Sequence, residues 1–340
     1  MFPLTEEIFV TDQPITGENS EALPPGLPAG GSILPTRNST MHSIFIGPKG
    51  LRAGWRFLLY IAMVAAILFV ILPMMKLLEP RIGKLWEMVA VEAVLFAAVV
   101  VPAFVMARIE KRRFGAYGLP REAAFGKLFW IGGLWGIVAL TGLMVCLRGA
   151  HVFYFGTLAL HGARIMKFAA FWALFFVLVG FFEEFLLRGY TQFTLTTGIG
   201  FWAAAILLSA AFGAIHLGNQ GEAWIGTLAA AVIGLFFCLS LRRTGNLWFA
   251  VGFHASWDWG ETYLYSVPNS GTVMPGHLLS SSFHGSPWLS GGSVGPEGSV
   301  LVFVVIAVMW ALFNRLYPRA NYPVEHSPAP LLTTNNVPCT

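Results

Sequence analysis

Residues 180–189 read GFFEEFLLRG, which sets Glu183, Glu184 and Arg188 inside one of the most apolar neighbourhoods of the chain. A carboxylate deep in hydrocarbon costs at least about 2.5 kcal/mol on insertion scales, so such groups usually face a cavity and act there. Successive residues differ by about 100° around a helix, so the two glutamates cannot share a face, whereas Glu184 and Arg188 stand one turn apart and can pair. That spacing gives Glu184 and Arg188 a partly structural role and leaves Glu183 for chemistry. Two further clusters lie downstream. FGAIH sets Phe212 four residues before His216, and HASWD sets His254 and Asp258 four apart on one helical face. A carboxylate and imidazoles of this kind suit acid and base work on a bound water.

These groups must be carried by apolar helices. Hydrophobic residues make up 56% of the 340 positions and charged ones 11%, against roughly 25% charged in soluble domains. The chain therefore reads as all-α and polytopic, a bundle of about eight transmembrane helices. The expected spans are 57–75, 88–107, 128–147, 168–195, 200–217, 223–241, 247–265 and 299–314, close to the roughly 20 residues that cross a bilayer. The glutamates fall on the fourth, His216 on the fifth, His254 and Asp258 on the seventh. With the fourth helix running on to a turn at Gly198, a rise of 1.5 Å per residue puts Glu183 and His216 roughly 22 and 27 Å from that turn. His254 and Asp258 fall roughly 13 and 20 Å beyond Gly245. The groups then line one cavity open to the cytoplasm.

Of the 21 Lys and Arg residues, 15 gather on the side that holds both tails, and none occurs from Thr244 to Asn314. The positive-inside rule makes that side cytoplasmic. The expected layout is a Pro/Gly/Ser-rich tail over 1–53, N-terminal spans over 54–160, a core over 165–265, an extracytoplasmic loop over 266–298, a last span over 299–316 and a tail over 317–340. Localisation in the cell membrane with both termini inside follows. The scattered net charge of +4 is a topology signal, so nucleic acid is not an expected partner. Cys146, Cys238 and Cys339 are too few and too far apart for a disulfide framework or a thiolate metal site, and Cys339 is misplaced for prenylation.

EEFLLR fits EExxxR, FGAIH fits FxxxH and HASWD fits HxxxD, in that order and on successive apolar segments. The trio resembles the CPBP family of CAAX proteases and bacteriocin-processing enzymes, once grouped as Abi, which includes the type II CAAX prenyl endopeptidases. The resemblance covers about 165–265. It implies an intramembrane endopeptidase in which the first glutamate and the FxxxH histidine activate water and the third motif supplies an oxyanion pocket. The candidate catalytic set is Glu183, Glu184, His216, His254 and Asp258.

The residues alone support the same division. Amide hydrolysis needs an activated water and a donor for the developing oxyanion. Glu183 serves as base, His216 orients the water, and His254 with Asp258 sits across the cavity. One departure matters: CAAX-processing members resemble HxxxN, and Asp258 donates a hydrogen bond only when protonated, so it is left to orient His254 or to bind metal. Glu183, His216 and His254 could ligate a divalent metal such as zinc with a water in the fourth position. HExxH is absent, and Glu plus His can also act without metal. The expected partners are membrane lipids and a peptide or protein substrate, prenylated at its C terminus in the CAAX case.

Two other readings compete: a non-catalytic immunity or sorting factor that holds a peptide or lipidated tail in the same cavity, and a proton-coupled transporter, which lacks the inverted repeats of that class. His151, His161, His277 and His284 are read as loop residues, Glu92 as a bundle contact, Glu261 as an outer-interface residue, and Trp248, Trp257 and Trp259 as packing residues or anchors.

Overall fold

A computed structural model describes residues 44–47, 50–76, 79–219 and 224–323. Nearly all of the expected N-terminal tail and most of the C-terminal one lie outside them. Among the described residues the chain forms nine α-helices of ten or more residues: α1 (Ala53–Met75), α2 (Lys84–Ile109), α3 (Lys127–Gly149), α4 (Ala163–Arg188), α5 (Tyr190–Ile199), α6 (Phe201–His216), α7 (Trp224–Thr244), α8 (Trp248–Trp259) and α9 (Leu301–Leu316). Two-residue strands pair as β1 (Ile46–Gly47) with β2 (Gly50–Leu51), and β3 (Phe153–Tyr154) with β4 (Ser282–Phe283), both antiparallel.

Five helical stretches are long and apolar enough to cross a membrane: α1, α2, α3, α4 taken with α5, and α7. α6 and α9 are shorter apolar helices, and α8 continues as a widened π turn over Gly260–Tyr265. Outward faces carry large apolar side chains such as Phe69, Trp130 and Met166, as lipid contact requires. Five of the eight expected spans thus coincide with stretches of membrane-crossing length, and shorter helices lie at the other three. The protein is an all-α, multi-pass membrane bundle.

The fourth span differs from expectation. It does not run on to Gly198 but ends at Arg188, and Gly189 separates α4 from α5. A Cβ at Gly189 would strike the carbonyl and ring of Phe185, so the break needs a glycine there. α3 and α8 pack most closely through small residues. A Cβ at Gly132 or Gly136 would overlap the carbonyl of Phe249 or Phe253, and one at Gly252 the carbonyl of Phe129.

Hydrogen bonds define the two ends of the bundle. At one, Arg56 of α1 bonds Glu110 at 3.0 Å and Thr197 at 2.7 Å, and Tyr117 and Tyr190 donate to the same Glu110 carboxylate. Burial and that carboxylate push the Tyr117 phenol above its usual range, which keeps it a donor. The Leu247 amide donates to Gly118, the Trp248 indole to Pro120, and the Asn321 amide to Arg242. This is the end that gathers most of the lysines and arginines. At the other end β3 pairs with β4, the Ala159 amide donates to Leu278, and the Trp224 and Trp288 rings meet at 5.7 Å. The segment 266–298 therefore folds back across the bundle as a packed cover.

Candidate active site

α4 presents its two adjacent glutamates to one imidazole from α8. Glu184 Oε1 lies 3.1 Å from Arg188 Nη1 and 2.9 Å from His254 Nδ1. Glu183 Oε2 lies 3.5 Å from His254 Nε2, and Asp258 Oδ2 approaches that same nitrogen at 3.5 Å. The helical offset between the glutamates is what makes this possible: Glu184 takes one ring nitrogen from within the core while Glu183 meets the other at its edge. Glu184 and Arg188 are wholly buried, whereas the Glu183 side chain is 26% exposed.

Arg188 is held by more than its ion pair. Its guanidinium lies 4.6 Å from the Phe212 ring centroid and 5.7 Å from that of Phe237. Gly234 leaves it room, since a Cβ there would come within 2.5 Å of Nη2. Phe212 also meets the His216 ring at 4.5 Å, edge on, and Phe237 stacks on His254 at 5.9 Å. The two phenylalanines thus couple α6 and α7 to the ionised pair on α4. His216 Nδ1 lies 2.8 Å from the Phe212 carbonyl oxygen. A carbonyl can only accept, so Nδ1 carries a proton, and in the neutral ring Nε2 keeps its lone pair.

A cavity of about 270 Å³ runs between α4, α6, α7, α8 and α9, and Glu183, His216, His254 and Asp258 all line it. Its walls are otherwise aromatic and aliphatic, including Phe175, Phe176, Val179 and Ile233. Glu184 is not on the wall: it stands behind His254. The arrangement can hold water against a carboxylate and an imidazole lone pair, with a second imidazole fixed opposite by carboxylates on both of its nitrogens.

The cavity does not open where the sequence reading put it. Towards the Lys/Arg-rich end the space below the cluster is filled by Phe185, Leu241, Leu247 and Trp248, all buried. Towards the other end it is bordered by Asn219, Gly226, Asn269, Ser270, Thr272, Met274 and Glu297. The expectation of an opening on the tail side is therefore corrected. Depth was counted along continuous helices, which cannot register that aperiodic residues 266–298 form the rim.

Glu261 is also displaced from its expected outer-interface position. It is fully buried in the π turn, with the Trp257 indole as its hydrogen-bonding neighbour. Among the described residues no group of three or more His, Cys, Asp or Glu side chains could hold a metal ion. Glu183, His216 and His254 are not brought together as such a set. Glu92 of α2 lies within electrostatic reach of Glu183, a neighbour that no motif signalled. His151, His161, His277 and His284 lie off the cavity wall. Trp257 lines the cavity, and the Trp259 indole donates to the Ala169 carbonyl.

Three motifs on separate helices, gathered around one cavity, decide where the chain is to be compared. Residues 165–260 match the family described as type II CAAX prenyl endopeptidase Rce1-like. The match spans all three motifs and under a third of the chain, and at family level it supports an intramembrane endopeptidase of the CAAX type. A peptide or protein substrate and association with the membrane follow at the same level. No curated protein and no solved structure matches the chain. The Rce1-like region begins just inside α4 and ends at the start of the π turn, so α1 to α3, the cover segment and α9 lie outside it.

Proposed function

We propose that the protein is an intramembrane endopeptidase in which Glu183 removes a proton from a water that His216 orients through Nε2. The observation that carries this is the placement of both groups on the wall of one cavity beside His254. Catalysis by a positioned base contributes about 10²- to 10⁴-fold, and a preorganised donor at the oxyanion a similar amount.

His254 is the donor. Glu184 takes Nδ1, which leaves Nε2 on the side of Glu183 and Asp258 as the ring atom placed to donate to the scissile carbonyl oxygen as charge develops there. Glu184 is a positioning residue: it fixes the ring through Nδ1, and Arg188 fixes Glu184. Asp258 orients the imidazole from the cavity side and is not itself an oxyanion donor. After attack, the proton taken by Glu183 passes to the leaving amine, and the new C-terminal carboxylate departs with the other fragment. No step is assigned to a metal, because the donor set does not fit one.

A CAAX-type cut on a prenylated C terminus and the processing of another membrane peptide both remain within this chemistry. Comparison of protein termini between cells carrying wild type and Glu183→Ala tests the reading. Termini that are cut only in wild-type cells support it. Identical termini, with a cellular phenotype rescued by Glu183→Ala, would favour a peptide-holding factor instead.

A further inference from the structure

We infer that the catalytic cavity is entered from the extracytoplasmic end of the bundle, so that its substrate is a peptide segment presented on that side of the membrane. The inference rests on the endopeptidase reading for the word substrate, but its geometry is independent of it. Towards the Lys/Arg-rich end, the cluster stands on a sealed floor. Leu241 and Leu247 are wholly buried, Trp248 is nearly so, and its indole is tied to Pro120 in the loop between α2 and α3. With Phe185 these side chains belong to one packed apolar cluster.

The opposite direction is open. The cavity is walled by the first halves of α7 and α9, through Gly226, Ala229, Val302 and Ile306, and by the last turns of α8. Its rim is the segment after the π turn. Thr272 on that rim is exposed, and Asn269, Ser270 and Met274 are half-buried. The rim is anchored, since the Ser270 amide and hydroxyl both donate to Glu297, at 2.6 and 2.9 Å, and the Gly271 amide donates to Val294. Among the described residues 12 Lys and Arg flank the sealed end and six the rim end, so the positive-inside rule places the sealed end in the cytoplasm and the rim outside.

The surfaces describe what would enter. The inner wall is aromatic and aliphatic, while the rim contributes a carboxylate, Glu297, and no Lys or Arg. An extended segment that is apolar where it reaches Glu183, and uncharged or basic where it crosses the rim, is complementary to both.

Cysteine labelling tests the route. In a background with Cys146→Ala and Cys339→Ala, with the buried Cys238 retained, Thr272→Cys and Arg121→Cys are each treated with a membrane-impermeant maleimide. Thr272→Cys is expected to react in intact cells and Arg121→Cys only after permeabilisation. The reverse pattern, or labelling of both in intact cells, overturns the inference. A second arm supplies a fluorogenic farnesylated CAAX peptide from outside to sealed right-side-out and inverted vesicles. Cleavage by right-side-out vesicles supports the inference, and cleavage confined to inverted ones overturns it. Thr272→Cys labelled from outside, with the peptide uncut in both preparations, supports the route and counts against CAAX-type cleavage.

Discussion

Arg188→Ala removes the guanidinium that pairs, beside His254, with a carboxylate that has no access to water. Glu184 and Arg188 are both wholly buried at 3.1 Å, and breaking such a pair from one side costs about 3–5 kcal/mol, because the remaining charge stays buried without its partner. Losing the guanidinium also removes the contacts with Phe212 and Phe237. Replacing both partners with uncharged groups of similar shape is often neutral, so Glu184→Gln with Arg188→Met is expected to return stability to within about 1 kcal/mol of wild type. That double variant still loses the carboxylate at His254 Nδ1. Substituting an Asp that orients a catalytic His lowered kcat about 10⁴-fold in a Ser-His-Asp site, and a loss of at least about 10²-fold is expected here. Denaturant titration in detergent, followed by tryptophan fluorescence with Trp172 fully buried, measures stability, and peptide cleavage measures activity. The reasoning is refuted if the double variant is as unstable as Arg188→Ala, or if it is stable and fully active.

Three further outcomes are expected. Gly132→Ala drives a methyl into the Phe249 carbonyl, and overpacking of this kind costs about 1–3 kcal/mol, which the same titration measures. Asp258→Asn keeps a hydrogen-bonding group beside His254 and restores the HxxxN pattern, so cleavage should persist where His254→Ala abolishes it; equal loss in both would give Asp258 a direct catalytic part. Chelation of the purified protein should leave cleavage unchanged, and a loss that zinc restores, with matching metal content, would contradict the side-chain mechanism.

The spans were legible because apolar runs of bilayer length leave few alternatives, and the i, i+4 spacings of Glu184 with Arg188 and His254 with Asp258 fixed which groups share a face. The convergence of α4 and α8 on one ring was only partly within reach, since the depths counted for Glu183 and His254, roughly 22 and 13 Å, assumed a fourth helix that does not break at Gly189. The break at Gly189 was not. A glycine in an apolar run is compatible with a continuing helix, and only the Phe185 contact shows that the chain must turn there. Residues 266–298 carry no periodicity that could announce a cover, so the direction of the opening and the burial of Glu261 were lost together. Glu92 was invisible as a neighbour of Glu183 because its position depends on how α2 packs against α4, which single-helix geometry does not constrain.

The most direct measurement is the turnover of a cleaved peptide by purified Glu183→Gln and His216→Ala, each shown to unfold at the same denaturant concentration as wild type. The account predicts a fall of about 10²- to 10⁴-fold for each, with peptide binding retained. Wild-type turnover in both variants would contradict it.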